Sequence, residues 1–348
     1  MTGGGDLQVT RWGRDVPDEV VTEAGELHRV VDAELEPDDP PMSDGELAGH
    51  LRHPTPPQDT MLWLAHVDGR HVGTFLIGFD RGSVNGGFAE TRCLEVHPDH
   101  RRRGVGSALA RAAFADLADE GATSVLLTPH DDGGRRFCEH LGLTHRQDER
   151  QSRLWITDLD EAQQDEWIAA TKARDAGYRV VTFRGPVPDE HLDAWSVAID
   201  AMADAPLDEI EWAHDPYTLD RIREIEAARE RRGMVWVSSL ALSADGEAAG
   251  MSTILLHPDR PSFAHQEDTA VVPAHRGFGL GRWLKAANLR ATLEAHPEVT
   301  VVQTYNAETN GPMLDINVAM GFRPHRTVAA YQAEVSSLVA RPGPSPSA

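Results

Sequence analysis

The chain has 348 residues, with 33 lysines and arginines against 56 aspartates and glutamates, a formal charge of −23. At about 150 residues per domain this length suggests two domains, and 40% hydrophobic with 26% charged residues excludes a fibrous or disordered chain. The acidic balance argues against nucleic acid as a partner, since phosphate backbones need a basic face, and it favours cationic small molecules. No apolar run approaches the roughly 18 residues of a membrane span, so no membrane partner is expected. The N-terminus MTGGGDLQVT shows no secretory signal, and Cys93 and Cys138 make no disulfide framework. A reducing cytoplasm is the expected setting.

In chain order, helices are predicted around 15–35 and 44–52. The runs MLWLAHV and HVGTFLIGF flank Asp68-Gly69, a hairpin signal. A strand, TRCLEV, then enters a glycine loop, after which Ala110, Ala113, Phe114 and Leu117 mark one helix face that stops at Gly121. Another strand, SVLLTP, a short helix and a final hairpin complete the series. Residues 159–176 read as a helical or extended connector. The same order then returns: helices around 189–204 and 217–232, the runs MVWVSSLALS and AAGMSTILL about Asp245-Gly246, the strand EDTAVV, and a second glycine loop. Leu280, Leu284, Ala287 and Ala291 form the next helix face, followed by the strand VTVVQTY. RPGPSPSA at 341–348 reads as a disordered tail, which the segmentation extends to 337–348.

This return is a repeat. Pro17-Asp18-Glu19 recurs as Pro188-Asp189-Glu190, Met61-Leu62-Trp63-Leu64 as Met234-Val235-Trp236-Val237, Arg101 as Arg276, and Gly142 as Gly321. The offsets drift from 171 to 179, as small loop insertions would make them. The reading is α/β, two tandem domains at 7–158 and 177–336, each a mixed, mostly antiparallel sheet flanked by helices.

The loops Arg101-Arg102-Arg103-Gly104-Val105-Gly106 and Arg276-Gly277-Phe278-Gly279-Leu280-Gly281 each lie between a strand and a helix. Amides at a helix N-terminus bind phosphate, and glycine lets the ligand approach. A tight turn needing glycine only for its geometry is the bland alternative. A dinucleotide loop would need glycine at 109 or 284, and both are leucine; a P-loop would need Gly-Lys-Ser/Thr, which is missing.

Arg/Gln-x-x-Gly-x-Gly/Ala after a strand ending Val-x-Pro, as in LEVHPDHRRRGVGSALARAA and TAVVPAHRGFGLGRWLKAANL, resembles motif A of the GNAT N-acetyltransferases. NGPMLDINVAMGF, from Asn310, partly matches that family's later motif. The resemblance covers nearly the whole chain, and the doubled arrangement is similar to the mycothiol synthase-like branch, with no residue that fixes the substrate. It implies that residues 101–106 and 276–281 cradle the pyrophosphate of acetyl-CoA, with Arg101 and Arg276 adding charge. Leu94 to Val96 and Ala270 to Val272, with Val271 between them, would pair with the pantetheine arm. Asn306 and Asn310 are candidates for hydrogen bonds to it, or for a helix N-cap.

The family's chemistry is direct attack of an amine on the thioester, with a base and an acid. Counting eleven residues back from the motif arginine gives Glu90 in the first copy and His265 in the second, where Glu267 and Asp268 lie close by. As a rival reading, Glu90 and Asp268 are solvated strand-edge charges. The family's acid tyrosine is replaced by Cys138 and Asn317, leaving Tyr305, Tyr331 or a water. Asp131 stands where the first copy should have the motif's asparagine. The C-terminal domain is therefore favoured as catalytic, with Glu90, His265, Asp268 and Tyr305 the catalytic candidates and acetyl-CoA and a small amine the partners. A non-catalytic acyl-CoA-binding module is the alternative. His97-x-x-His100 is half a metal pattern that nothing completes, so no metal is expected. The acidic runs Glu34–Asp39 and Asp204–Glu211 read as solvated faces or as attraction for a cationic amine. Either a monomer or a homodimer fits.

Overall fold

The computed structural model describes residues 6–340. The 341–348 segment and the first five residues lie outside them. In chain order the elements are β1 (Leu7–Trp12), α1 (Asp18–Leu35), α2 (Asp44–Arg52), β2 (Gln58–Val67), β3 (Arg70–Asp80), β4 (Phe88–Val96), α3 (Val105–Asp119), β5 (Ser124–Leu127) and α4 (Asp132–Leu141). Next come β6 (Thr144–Trp155), α5 (Glu161–Ala169), α6 (Thr171–Asp175), β7 (Arg179–Arg184), α7 (Leu192–Asp200) and α8 (Leu219–Arg231). The chain continues through β8 (Val235–Leu242), β9 (Ala248–Leu256), β10 (Phe263–Val271), α9 (Leu280–Ala295), β11 (Val301–Ala307), α10 (Gly311–Met320), β12 (Arg323–Glu334) and α11 (Val335–Val339).

These elements form two compact units. The first holds residues up to 147, 209–213 and those from 328 onward; the second holds 148–208 and 214–327. The first unit's sheet runs β1-β2-β3-β4-β5-β12 and the second's β7-β8-β9-β10-β11-β6. Each is mostly antiparallel, with one parallel pair, β4–β5 or β10–β11.

The compact units cut across the sequence repeats. β12 closes the first sheet, pairing antiparallel with β5 from Tyr331↔Leu127 to Glu334↔Ser124. β6 closes the second, pairing antiparallel with β11 from Trp155↔Val301 to Glu149↔Ala307. Each repeat thus ends not in the expected hairpin but in one 12-residue strand whose end serves the other repeat's sheet. The connector is helical, with Trp167 and Ala173 buried in the second unit. Residues 335–339, partly assigned to the tail, form α11, and Leu338 packs in the first unit's core.

The helix after each glycine loop anchors its unit. Leu109, Ala110, Ala113, Phe114 and Leu117 of α3 are buried against β2 and β3, at about 1.5–3 kcal/mol for each large side chain. On α9, Leu280 and Leu284 pack one cluster and Ala286 and Leu289 another. Two glycines let these helices lie close to the sheet. A Cβ on Gly73 would stand 2.9 Å from both Leu109 and Val105, and one on Gly250 would meet the Ala270 carbonyl oxygen at 2.5 Å. β1 and β7, short edge strands of broken alternation, were not expected from the sequence.

Candidate functional site

In the second unit β10 changes register against β9 between Gln266 and Thr269: two residues on β10, Glu267 and Asp268, oppose one on β9, Thr253. Such a bulge re-aims side chains and ends regular pairing. The parallel β10–β11 ladder runs only from Phe263↔Val301 to His265↔Gln303, with Thr304 Oγ1 donating to the Gln266 carbonyl oxygen at 3.2 Å just beyond. Past that point no β10–β11 ladder pairing continues beside the bulge. Gln266, which sequence reasoning passed over, braces the bulge. Its buried Nε2 donates to the Thr253 carbonyl at 2.8 Å, to Ser252 Oγ and the Glu267 carbonyl at 3.2 Å, and to Thr269 Oγ1 at 3.4 Å.

The bulge presents Glu267 and Asp268. Glu267 reaches solvent, yet protein crowds its carboxyl enough to desolvate it; that, with the neighbouring Asp268 charge, pushes it up to about 7. Burial also raises Asp268, with Arg229 of α8 pulling the other way. Tyr217 is pushed up to about 12, by burial first and then by the Asp268 charge. His265 shares the strand, its ring 5.2 Å from that of Phe263 in a T-shaped contact. Tyr305 of β11 accepts hydrogen bonds at its hydroxyl from Gln151 Nε2 (2.9 Å) and Gln303 Nε2 (3.0 Å). His265 and Gln303 are ladder partners, and Tyr305 lies two residues on, so all three share one face of the sheet. The structure thus brings His265, Asp268 and Tyr305 to the end of one ladder and adds Glu267, which the eleven-residue count stepped past.

In the second glycine loop Gly277 and Gly279 adopt φ of 86° and 83°, conformations that favour glycine and turn the loop into the start of α9. Lys172 of the connector donates to the Gly277 carbonyl at 2.8 Å, and Tyr178 packs on Phe278. Arg276, expected to add charge toward the pyrophosphate, donates to the Val271 carbonyl at 3.1 Å and pairs with Asp204 at 2.7 Å. Asn310 caps α10, accepting from the Met313 amide at 3.4 Å, and Asn306 accepts from Asn317 Nδ2 at 2.6 Å.

The first unit has the same frame with different chemistry. Its loop places Arg102 at φ 62° and Gly104 at φ 84°, and leaves Arg102 and Arg103 exposed. Arg101 binds the Val96 carbonyl and is held bidentately by Glu34 at 3.0 and 2.7 Å, so this arginine too braces the loop against an acidic run. Val105 is buried and Gly106 faces Phe137. β4 carries the equivalent bulge, between Thr91 and Cys93, but it presents Arg92, which pairs with Glu90 at 3.4 Å. Cys93 is half-buried, and its thiol is held high, chiefly by desolvation. Cys138, in the acid tyrosine's place, packs in the core and is pushed up to about 12 by burial. Asp131 caps α4, accepting from the Gly134 amide at 2.6 Å. Tyr331 is buried and donates to Glu139 at 3.1 Å. The rings of His97 and His100 lie 5.9 Å apart, and no metal-holding cluster occurs among the described residues. No helix among them is long and apolar enough to cross a membrane.

Comparison with known proteins agrees with this frame. The acetyltransferase (GNAT) family model matches residues 28–143 and 199–309, once in each repeat. The mycothiol acetyltransferase of Saccharomonospora viridis is 27% identical over 313 residues, covering 86% of this chain and 88% of its own. That of Streptomyces avermitilis is 30% identical over 276 residues, covering 76% and 78%. Among solved structures, a tandem GNAT protein from the clavulanic acid biosynthesis pathway superposes with a TM-score of 0.78 at 27% identity, over 95% of this chain and 99% of that one. With the family matched in both repeats, the chain belongs to the GNAT acetyltransferases and is an acyltransferase built of two tandem domains of that family.

Proposed function

We propose that the second unit transfers an acetyl group from acetyl-CoA to a primary amine of a small molecule, by direct attack of the neutral amine on the thioester. One contrast carries this reading: the β10 bulge presents Glu267 and Asp268, where the 175-residue offset puts Arg92 and Cys93 in the first unit. Glu267 takes the proton from the attacking nitrogen, since a carboxyl near 7 is a usable base and about half ionised at neutral pH. Asp268 keeps Glu267 basic and draws a cationic amine toward the bulge. An amide of β10 at the bulge stabilises the oxyanion as it forms. The amides at the start of α9 hold the pyrophosphate, while Arg276 positions the loop from outside. The first unit, whose Glu90 is engaged by Arg92, supports the second without turning over substrate.

The relatives' name puts mycothiol-related amines among the acceptors to try, and the structural neighbour puts clavulanic acid pathway amines beside them. Thiol release from acetyl-CoA, followed from pH 5.5 to 9 with these and with glucosamine, cysteine methyl ester, tyramine and spermidine, tests the reading. The wild type should turn over at least one amine, with an acid limb near pH 7. Glu267→Gln should lower kcat/KM about 10²–10⁴-fold and abolish that limb. A Glu267→Gln enzyme with the wild-type rate and profile overturns the assignment.

A further inference from the structure

Acetyl transfer leaves a thiolate behind, and the position where the family resemblance puts its acid carries none in the second repeat. In the second unit it is Asn317, whose amide is bonded to Asn306. Tyr305 belongs to the other side of the sheet. Val302 and Ala264 pack with Leu289 of α9, so Gln303 and Tyr305, alternating with Val302, face away from that helix.

On the α9 side one group is unaccounted for. Lys285 is 1% exposed, and its ammonium makes no hydrogen bond or ion pair among the described residues; its one polar contact is the Phe322 ring, 5.5 Å from Nζ to the centroid. A buried unpaired ammonium is expensive, and a core gains nothing from it that methionine would not supply. Its position is specific. One turn earlier Gly281 lies against Val271 and Ile316, and one turn later Leu289 belongs to the buried cluster that holds Ala264 and Val302. Lys285 therefore overlies the stretch of β10 between 264 and 271, where the bulge sits and the β10–β11 ladder has ended. Helical side chains lean toward the N-terminus, which here is the glycine loop. The 175-residue offset puts Ala110 at this place in the first unit, so the lysine accompanies the carboxylate pair.

We propose that Lys285 is the proton donor to the departing CoA thiolate. The inference rests on the acetyl transfer proposed above. The amine nitrogen bonds to the carbonyl carbon and its proton passes to Glu267; the C–S bond breaks with its electron pair on sulfur, and sulfur takes a proton from the Lys285 ammonium. Solvent then moves one proton from Glu267 back to Lys285. Amine and acid meet the thioester from opposite sides of the bulge. Burial lowers Lys285 to about 7, matching it to a thiol leaving group. Burial is the whole cause: Glu267 and Asp268 of β10, Asp165 and Glu166 of α5, and Arg282, Arg290 and Glu294 of α9 add nothing resolved.

The test compares wild type, Lys285→Met and Lys285→Ala with the best amine of the panel on two thioesters, acetyl-CoA and S-(4-nitrophenyl) thioacetate, whose thiolate leaves without a proton. With acetyl-CoA, both variants should lose about 10²–10⁴-fold in kcat and the alkaline limb of the pH profile, while CoA binding measured by calorimetry stays within threefold. On the aryl thioester the loss should shrink to less than about fivefold. Thermal unfolding checks that both variants fold, and the alanine variant reproduces the first unit's own residue. An unchanged alkaline limb, or equal losses on both thioesters, overturns the role of Lys285 while leaving the acetyl transfer standing. A wild type inactive on every amine overturns both.

Discussion

A proton acceptor crowded by protein pays for its basicity in stability, and Glu267 shows the sign of that exchange. Its folded value of about 7 lies above the 4.5 of an unperturbed glutamate, so between these limits the native state holds more protons than the unfolded chain. Stability attached to this carboxyl is therefore fully present below about pH 4.5 and is lost as pH rises through 7. Glu267→Gln should melt with the wild type at pH 4.5 and above it at pH 8. Because the side chain reaches solvent, the expected gain is small, about 1–3 °C by differential scanning calorimetry. A gain independent of pH would show that glutamine acts there by packing alone. The motif arginines, Arg101 and Arg276, expected from the resemblance to add charge at the loops, pair with Glu34 and Asp204 and so also tie each loop to an acidic run.

At the scale of the element, the glycine loops were legible because their signal is local: glycines at φ near 84°, a strand before and an apolar helix face after. The hairpins at Asp68-Gly69 and Asp245-Gly246 were legible for the same reason. The bulge was not. A bulge is a slip of register set by a partner strand, and here by the buried amide of Gln266, which in sequence looks like any polar residue. An eleven-residue count thus arrived at His265, with Glu267 and Asp268 named only as neighbours, and could not show that the bulge presents them. Gln266→Leu keeps the volume and removes the two N–H donors that one amide shares among four acceptors. It should cost about 1–3 kcal/mol in chemical denaturation, because Thr253 and Glu267 lose a donor in a buried place. It should lower kcat at least tenfold with KM for acetyl-CoA little changed, since the carboxylates lose their aim while the glycine loop stays intact. A kcat equal to wild type would remove Gln266 from the account.

Across the whole molecule, the repeat was visible in the sequence but the exchange of its ends was not. β6 and β12 find partners more than a hundred residues away, at Val301–Ala307 and Ser124–Leu127, and no local pattern records such a pairing. Duplication followed by exchange leaves two frames of equal geometry and unequal chemistry: a carboxylate pair and a buried lysine in one, and arginine, cysteine and alanine at the same places in the other. The central claim is that turnover belongs to the second frame. Gly104 and Gly279 test it most directly, because their φ angles are 84° and 83° and neither would bring a Cβ within 4 Å of another group. Glutamate at either place therefore imposes the same strain and the same charge on a phosphate-binding loop. Measured as kcat/KM for acetyl-CoA, Gly279→Glu should fall at least 100-fold further than Gly104→Glu. The reverse order, or equal losses in the two variants, would contradict the account.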